Sequence, residues 1–185
     1  SQNDRARAFF HRSRASEVLD MLDQRYPDAK ERAELRAKLI DVYATYGEAD
    51  AVIREGNRFL SQYTKAPERT RVSIAMADAH ARLKQVAEEL AVYKRLLEEL
   101  SAAYGGVPVG TTVTGNQQNS NVRSPDYVRI LDRYIGRLIA EKRTSDALAV
   151  YRGEIERNAN DPGIYERFAA FLEQHAALEF AAAGS

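Results

Sequence analysis

Along most of this chain apolar side chains recur every three to four positions, the spacing that gathers them on one face of a helix. Leu35, Leu39, Val42 and Tyr46 predict such a helix over 28–46. After Gly47, which breaks the pattern, Val52, Ile53, Phe59, Leu60 and Tyr63 resume it over 51–63. Val72, Ala75, Met76, Ala79 and Leu83 carry it over 68–83, and Leu90, Tyr93, Leu97 and Leu100 over 87–104. Further on, Ile130, Leu131, Tyr134, Ile135 and Leu138 mark 126–141, Leu148, Tyr151 and Ile155 mark 145–157, and Tyr165, Phe168, Ala169, Phe171 and Leu172 mark 163–175. The pattern predicts an all-α fold of eight or nine helices in antiparallel pairs. Breaks are expected near Ser13, Gly47, Lys84–Gln85 and Arg143–Thr144.

Proline punctuates this order. Pro27, Pro67, Pro125 and Pro162 each stand just before an amphipathic stretch, where a missing N–H costs nothing. The middle interval exceeds its neighbours by about the length of one segment, 105–123, which is rich in Gly, Thr, Asn and Ser and has no helical period. It reads as one long irregular insertion. A solvated, tolerated insertion is the first reading; the alternative is that Val107, Val109 and Val113 dock on a protein surface, of this chain or a partner, with 115–121 left exposed. With the insertion set aside, the helical repeat is about 37–40 residues long. Sequence repeats as well: Leu-Ala-Val-Tyr occurs at 90–93 and again at 148–151, offset by 58 residues, the same offset as Pro67 to Pro125. The units expected are 1–26, 27–66, 67–104, 124–160 and a truncated 161–176.

These residues resemble the tetratricopeptide repeat family. Its unit is a helix–turn–helix of about 34 residues, with large–x2–large–small–x2–large in the first helix and an Ala…aromatic pair in the second. Tyr165, Phe168, Ala169 and Leu172 match the first-helix pattern, and Ala147 with Tyr151 match the pair. Leu131, Tyr134 and Leu138 match in part, with Ile135 in place of the small residue; the match is degenerate before residue 80. The resemblance implies a right-handed superhelix, an α-solenoid, in which Ala147, Tyr151, Tyr165, Phe168 and Leu172 form one cluster. Other helix-pair repeats, armadillo-like ones among them, remain open. The resemblance also implies that the first helix of each pair lines a concave groove. Register then places Arg71, Asp78, Arg82, Arg129, Asp132, Arg133 and Arg167 there. Positions at which family members clamp a C-terminal carboxylate hold residues such as Ile74 and Asp78, so that activity is not expected.

Composition narrows the chemistry. Of 185 residues 44% are apolar, too many for a disordered chain. Lys and Arg total 27 and Asp and Glu total 27, and this balance argues against nucleic acid, whose affinity comes from clustered positive charge. No cysteine is present, so disulfides, thiolate metal sites and cysteine nucleophiles are out, and the compartment is left unread, with the cytoplasm slightly favoured. His11, His80 and His175 fall in separate units, and no metal, cofactor or catalytic residue is expected. The glycines of 105–115 lack the Gly-Lys-Ser/Thr of a phosphate loop. No apolar run reaches the length of a membrane span, and no secretory leader is read in the polar first residues. The last nine residues, 177–185, read like translated cloning sites and are expected to stand outside the fold. Six lysines against 21 arginines resemble the usage of a GC-rich bacterial genome.

The function these observations favour is a scaffold that binds a protein or peptide in the groove. Its arginines suit bidentate recognition of carboxylates, although pairing with neighbouring Asp and Glu along the groove is the use expected first. A self-associating segment of a larger protein, through exposed repeat ends, is the alternative. An all-helical small-ligand binder or enzyme is the remaining reading.

Overall fold

The computed structural model describes residues 2–29, 31–104 and 124–183, and among these all regular structure is helical. Eight helices follow in order: α1 (Gln2–Arg25), α2 (Arg32–Thr45), α3 (Ala49–Gln62), α4 (Arg69–Arg82), α5 (Val86–Tyr104), α6 (Pro125–Ala140), α7 (Thr144–Arg157) and α8 (Pro162–Ala183). The all-α expectation is met. The insertion at 105–123, with its three valines, lies outside the described residues.

Three of the four expected breaks occur, and all three are the same turn. Gly47, Lys84 and Lys142 have φ of 74°, 58° and 58°, the left-handed region. At each, two amides reach back to the preceding helix: Gly47 to Ala44 O and Glu48 to Tyr43 O, Lys84 to Ala81 O and Gln85 to His80 O, Lys142 to Ile139 O and Arg143 to Leu138 O. This is the Schellman closure, which satisfies the last carbonyls of a helix and ends it within one residue. Gly47 adopts that conformation freely, whereas the lysines hold a Cβ against the following carbonyl. Lys84→Gly and Lys142→Gly should therefore each raise unfolding stability by about 0.5–1 kcal/mol, the relief of strain less the added freedom of the unfolded chain. Urea unfolding of the single and double variants checks this; a loss of stability in both would show that the turns are unstrained.

The fourth break is absent. α1 runs through Ser13 without interruption, because serine in mid-helix neither removes a donor nor demands an unusual φ. The end of α8 also departs from expectation: the helical backbone continues past residue 177 to Ala183.

Contacts divide the chain into two units, Ser1–Leu96 and Leu97–Ser185, with the division inside α5. In the first, Leu19, Ala37, Leu39, Ile40, Tyr43, Val52, Phe59, Val72 and Met76 belong to one buried cluster. Its helices approach closely where Gly56 of α3 meets Met76: a Cβ at 56 would stand 2.5 Å from the methionine side chain. Arg12 of α1 pairs with Glu48 at the start of α3, and Asp23 at the end of α1 bonds Tyr63 just past the end of α3. The two helices therefore run in the same direction. In the second unit Tyr127, Ile130, Leu131, Ile135, Leu138, Ala147, Tyr151, Ile164 and Phe171 are buried.

Register differs from expectation in two helices. On α2, Leu35, Val42 and Tyr46 are exposed, and the buried face is Arg36, Ala37, Leu39, Ile40 and Tyr43. On α8, Tyr165 and Leu172 are exposed while Ile164 and Phe171 are buried. The expected cluster is corrected accordingly. Tyr151 stacks on Phe168 at 5.3 Å and on Phe171 at 5.2 Å, and Ala147 is fully buried, but Tyr165 and Leu172 stay on the surface.

Candidate functional site

The seven groove residues read from the sequence fall into two sets, one in each unit. In the first unit Arg71 of α4 faces Asp41 of α2 at 3.5 Å, and Arg82 donates to Ala44 O at 3.1 Å, capping the end of α2. Asp78, half-buried on the same helix, is engaged as well. In the second unit Arg167 of α8 bonds Asp132 of α6 at 2.5 Å, joining two of the expected residues directly. Arg129 pairs with Asp126 on its own helix at 3.1 Å, and Arg133 also has a partner. Cation–carboxylate pairing is thus the dominant use of these arginines. Exposed pairs of this kind add about 0–1 kcal/mol each and leave the groups available to exchange partners.

Beside the Asp132–Arg167 pair lies a cleft of about 360 Å³ between α6 and α8. Its apolar lining is Ile135, Ile139, Tyr151 and Phe171, and its polar lining includes Asp132, Arg167, Gln174 and His175. On α6 the residues at 132, 135, 136 and 139 recur at helical spacing, so one face supplies the wall. Gly136 stands in that wall with open space beyond its Cα. Sequence reasoning named Asp132 and Arg167 and missed the apolar floor. Ile139 and Phe171 carry periodic signals of the core, and periodicity does not tell a core face from a cleft floor.

A second polar constellation, also missed, holds α1, α2 and α3 together. Arg36 is 1% exposed. Its guanidinium bonds Asp20 and Asp23, the latter at 2.8 Å, and faces Glu55 at 3.6 Å. Asp23 also accepts from Arg32 at 3.0 Å and from the Tyr63 hydroxyl at 2.5 Å. Arg58 reaches Asp20 at 2.7 Å. Burial alone would raise the Asp23 pKa, but the bonds from Tyr63, Arg36 and Arg32 and the charge of Arg36 hold it below the ordinary carboxylate value. Burial first, and then the bond to Asp23, push the Tyr63 hydroxyl up to about 12.

These two shifts set opposite edges of a stability window. A depressed carboxylate stabilises the fold above its unfolded pKa, and that contribution is lost as pH falls through the folded value. A raised phenol contributes fully below its unfolded pKa near 10, and the contribution is lost as pH rises through about 12. The expected result is a fall in unfolding stability below about pH 4 and another above about pH 10. Tyr63→Phe should reduce the alkaline loss of stability and remove one phenol that titrates near pH 12 from the ultraviolet titration. A loss of absorbance change near pH 10 rather than near pH 12 in that variant would show that Tyr63 ionises normally.

In the second unit one buried carboxylate plays a similar part. Glu154 of α7, 1% exposed, accepts at one oxygen from Ser101 of α5 at 2.5 Å and from the Tyr127 hydroxyl of α6 at 2.8 Å. Arg157 donates to its other oxygen at 2.5 Å. Among the described residues no group of three or more His, Cys, Asp or Glu is arranged to hold a metal ion, and no helix is long and apolar enough to cross a membrane. No protein-family model matches the chain, and no curated protein matches it.

Proposed function

We propose that this protein is a helical-repeat scaffold, similar in kind to the tetratricopeptide repeat arrays, that binds a segment of another protein along the face formed by the first helices of its pairs. The observation that carries the reading is the recurrence of one closure, the Schellman turn at Gly47, Lys84 and Lys142, between the two helices of three successive pairs. A motif repeated at the same place in each pair is what a stack of equivalent units requires, and stacked pairs form an extended binding surface on one side. The α6–α8 cleft supplies the chemistry: an apolar floor for a partner side chain and an exchangeable Asp132–Arg167 pair at its side for the partner's charges or backbone. The reading includes no catalytic step, no cofactor and no nucleic acid.

Peptide display selection against the wild-type chain, followed by affinity measurement on the variant Gly136→Trp, tests it. Nothing lies within 4 Å of a Cβ at position 136, so the indole can occupy the cleft without entering the core. The expected result is at least about a tenfold loss of affinity for selected peptides, equivalent to about 1.4 kcal/mol, with unfolding unchanged. Selected peptides that bind the variant as well as the wild type would overturn the assignment of the cleft.

A further inference from the structure

We propose that the outer face of α1 in one copy of this chain seats against the outer face of α8 in a second copy. This inference stands independently of the groove reading, because neither face includes the α6–α8 cleft.

The argument starts from helical register. Arg12, Ser16, Leu19 and Asp23 face the rest of the first unit and are buried or half-buried. On the opposite side of α1, Phe10, Val18 and Met21 are 64%, 41% and 42% exposed. Helical spacing puts Arg14 and Arg25 on the same strip, and both are exposed. Glu17, also exposed, pairs with Arg14 at 2.6 Å, so the strip is apolar with a rim that remains net positive.

The other face is on α8. Ile164, Phe168, Phe171 and His175 lie on the side of this helix that carries its buried contacts. About a quarter-turn away Tyr165 and Leu172 are 44% and 43% exposed, with the exposed Ala169 beside them. Large, small and large residues in that order make a shallow groove on a helix, the shape into which another helix packs. Glu166 and Glu173 line the far edge and are exposed. Arg167 projects to the opposite edge, where Asp132 holds it. The α8 strip is therefore apolar with a negative rim.

An apolar strip from Phe10 to Met21 and a shorter one from Tyr165 to Leu172, with rims of opposite sign, are complementary to each other, while each is repelled by its own kind. That selects an α1–α8 contact over an α1–α1 or α8–α8 one. One pair of helix faces is a small interface, so association should be weak and reversible.

Sedimentation velocity of the full chain over a concentration series reads this directly. The expected result is an average mass that rises with concentration above that of one chain. Arg14→Glu with Arg25→Glu, or Glu166→Arg with Glu173→Arg, should each weaken association about tenfold or more, and mixing the two variants should restore it. Tyr165→Ser with Leu172→Ser should leave the chain monomeric; both positions are surface ones, and circular dichroism confirms that the variant is folded. A chain that stays monomeric throughout, or an association indifferent to the α1 and α8 charges, would overturn the proposal.

Discussion

Arg36→Met should lower unfolding stability by about 3–5 kcal/mol, the range found when one member of a buried ionic cluster is removed. The side chain is of similar length and fits the space, so the loss does not come from packing. It comes from Asp23 and Glu55, whose carboxylates are 6% and 8% exposed and would lose their common cation. Asp23 would keep Arg32 and Tyr63, which places the effect nearer the lower end. Arg36→Lys should recover only part, because a single ammonium cannot reproduce the fork that spans Asp20, Asp23 and Glu55. Removing the charges together, with Arg36→Met, Asp23→Leu and Glu55→Met, should restore much of the stability. Urea midpoints for the three variants decide: a single Arg36→Met costing less than about 1 kcal/mol would mean that the cluster is solvated and holds nothing together.

Phe171→Ala should cost about 3–5 kcal/mol, while Tyr165→Ala and Leu172→Ala should each cost less than about 1. Phe171 is 6% exposed and lies between two rings, Tyr151 at 5.2 Å and His175 at 4.4 Å. Truncating it opens a cavity at the centre of the α7–α8 contact. Tyr165 and Leu172 lie on the surface, and removing them changes little in a monomer. Thermal and urea unfolding of the three variants distinguish this register from the one implied by the repeat resemblance, which would reverse the order of Phe171 and Leu172.

The contrast shows what was legible in the sequence. Helix positions were, because Gly47 and the Lys84–Gln85 and Lys142–Arg143 breaks interrupt an otherwise continuous period of three to four. The face each helix buries was less so. On α2 the visible stripe of Leu35, Leu39, Val42 and Tyr46 is a sound helical period, yet the buried face is turned toward Arg36. No rule of hydrophobic patterning places an arginine at 1% exposure; only its acids on α1 and α3 do, and they are distant in sequence. On α8 two overlapping stripes, Ile164–Phe168–Phe171 and Tyr165–Phe168–Leu172, share Phe168, and periodicity alone cannot rank them. Of the candidate site, Asp132 and Arg167 were legible from the repeat register. The apolar floor was not, since Ile135, Tyr151 and Phe171 are buried core positions that also line the cleft, and patterning does not separate the two.

Glu154 has a bearing on how this protein can change over generations. Ser101 and Tyr127 stand just outside the two ends of 105–123, and both bond the same carboxylate oxygen. The stems on either side are thereby fixed by α7, whatever number of residues connects them. Closure entropy rises by only about 0.6 kcal/mol for each doubling of such a connection. The stems therefore hold their own positions through Glu154, and changes in the length of the connection can be tried while the helices on either side persist.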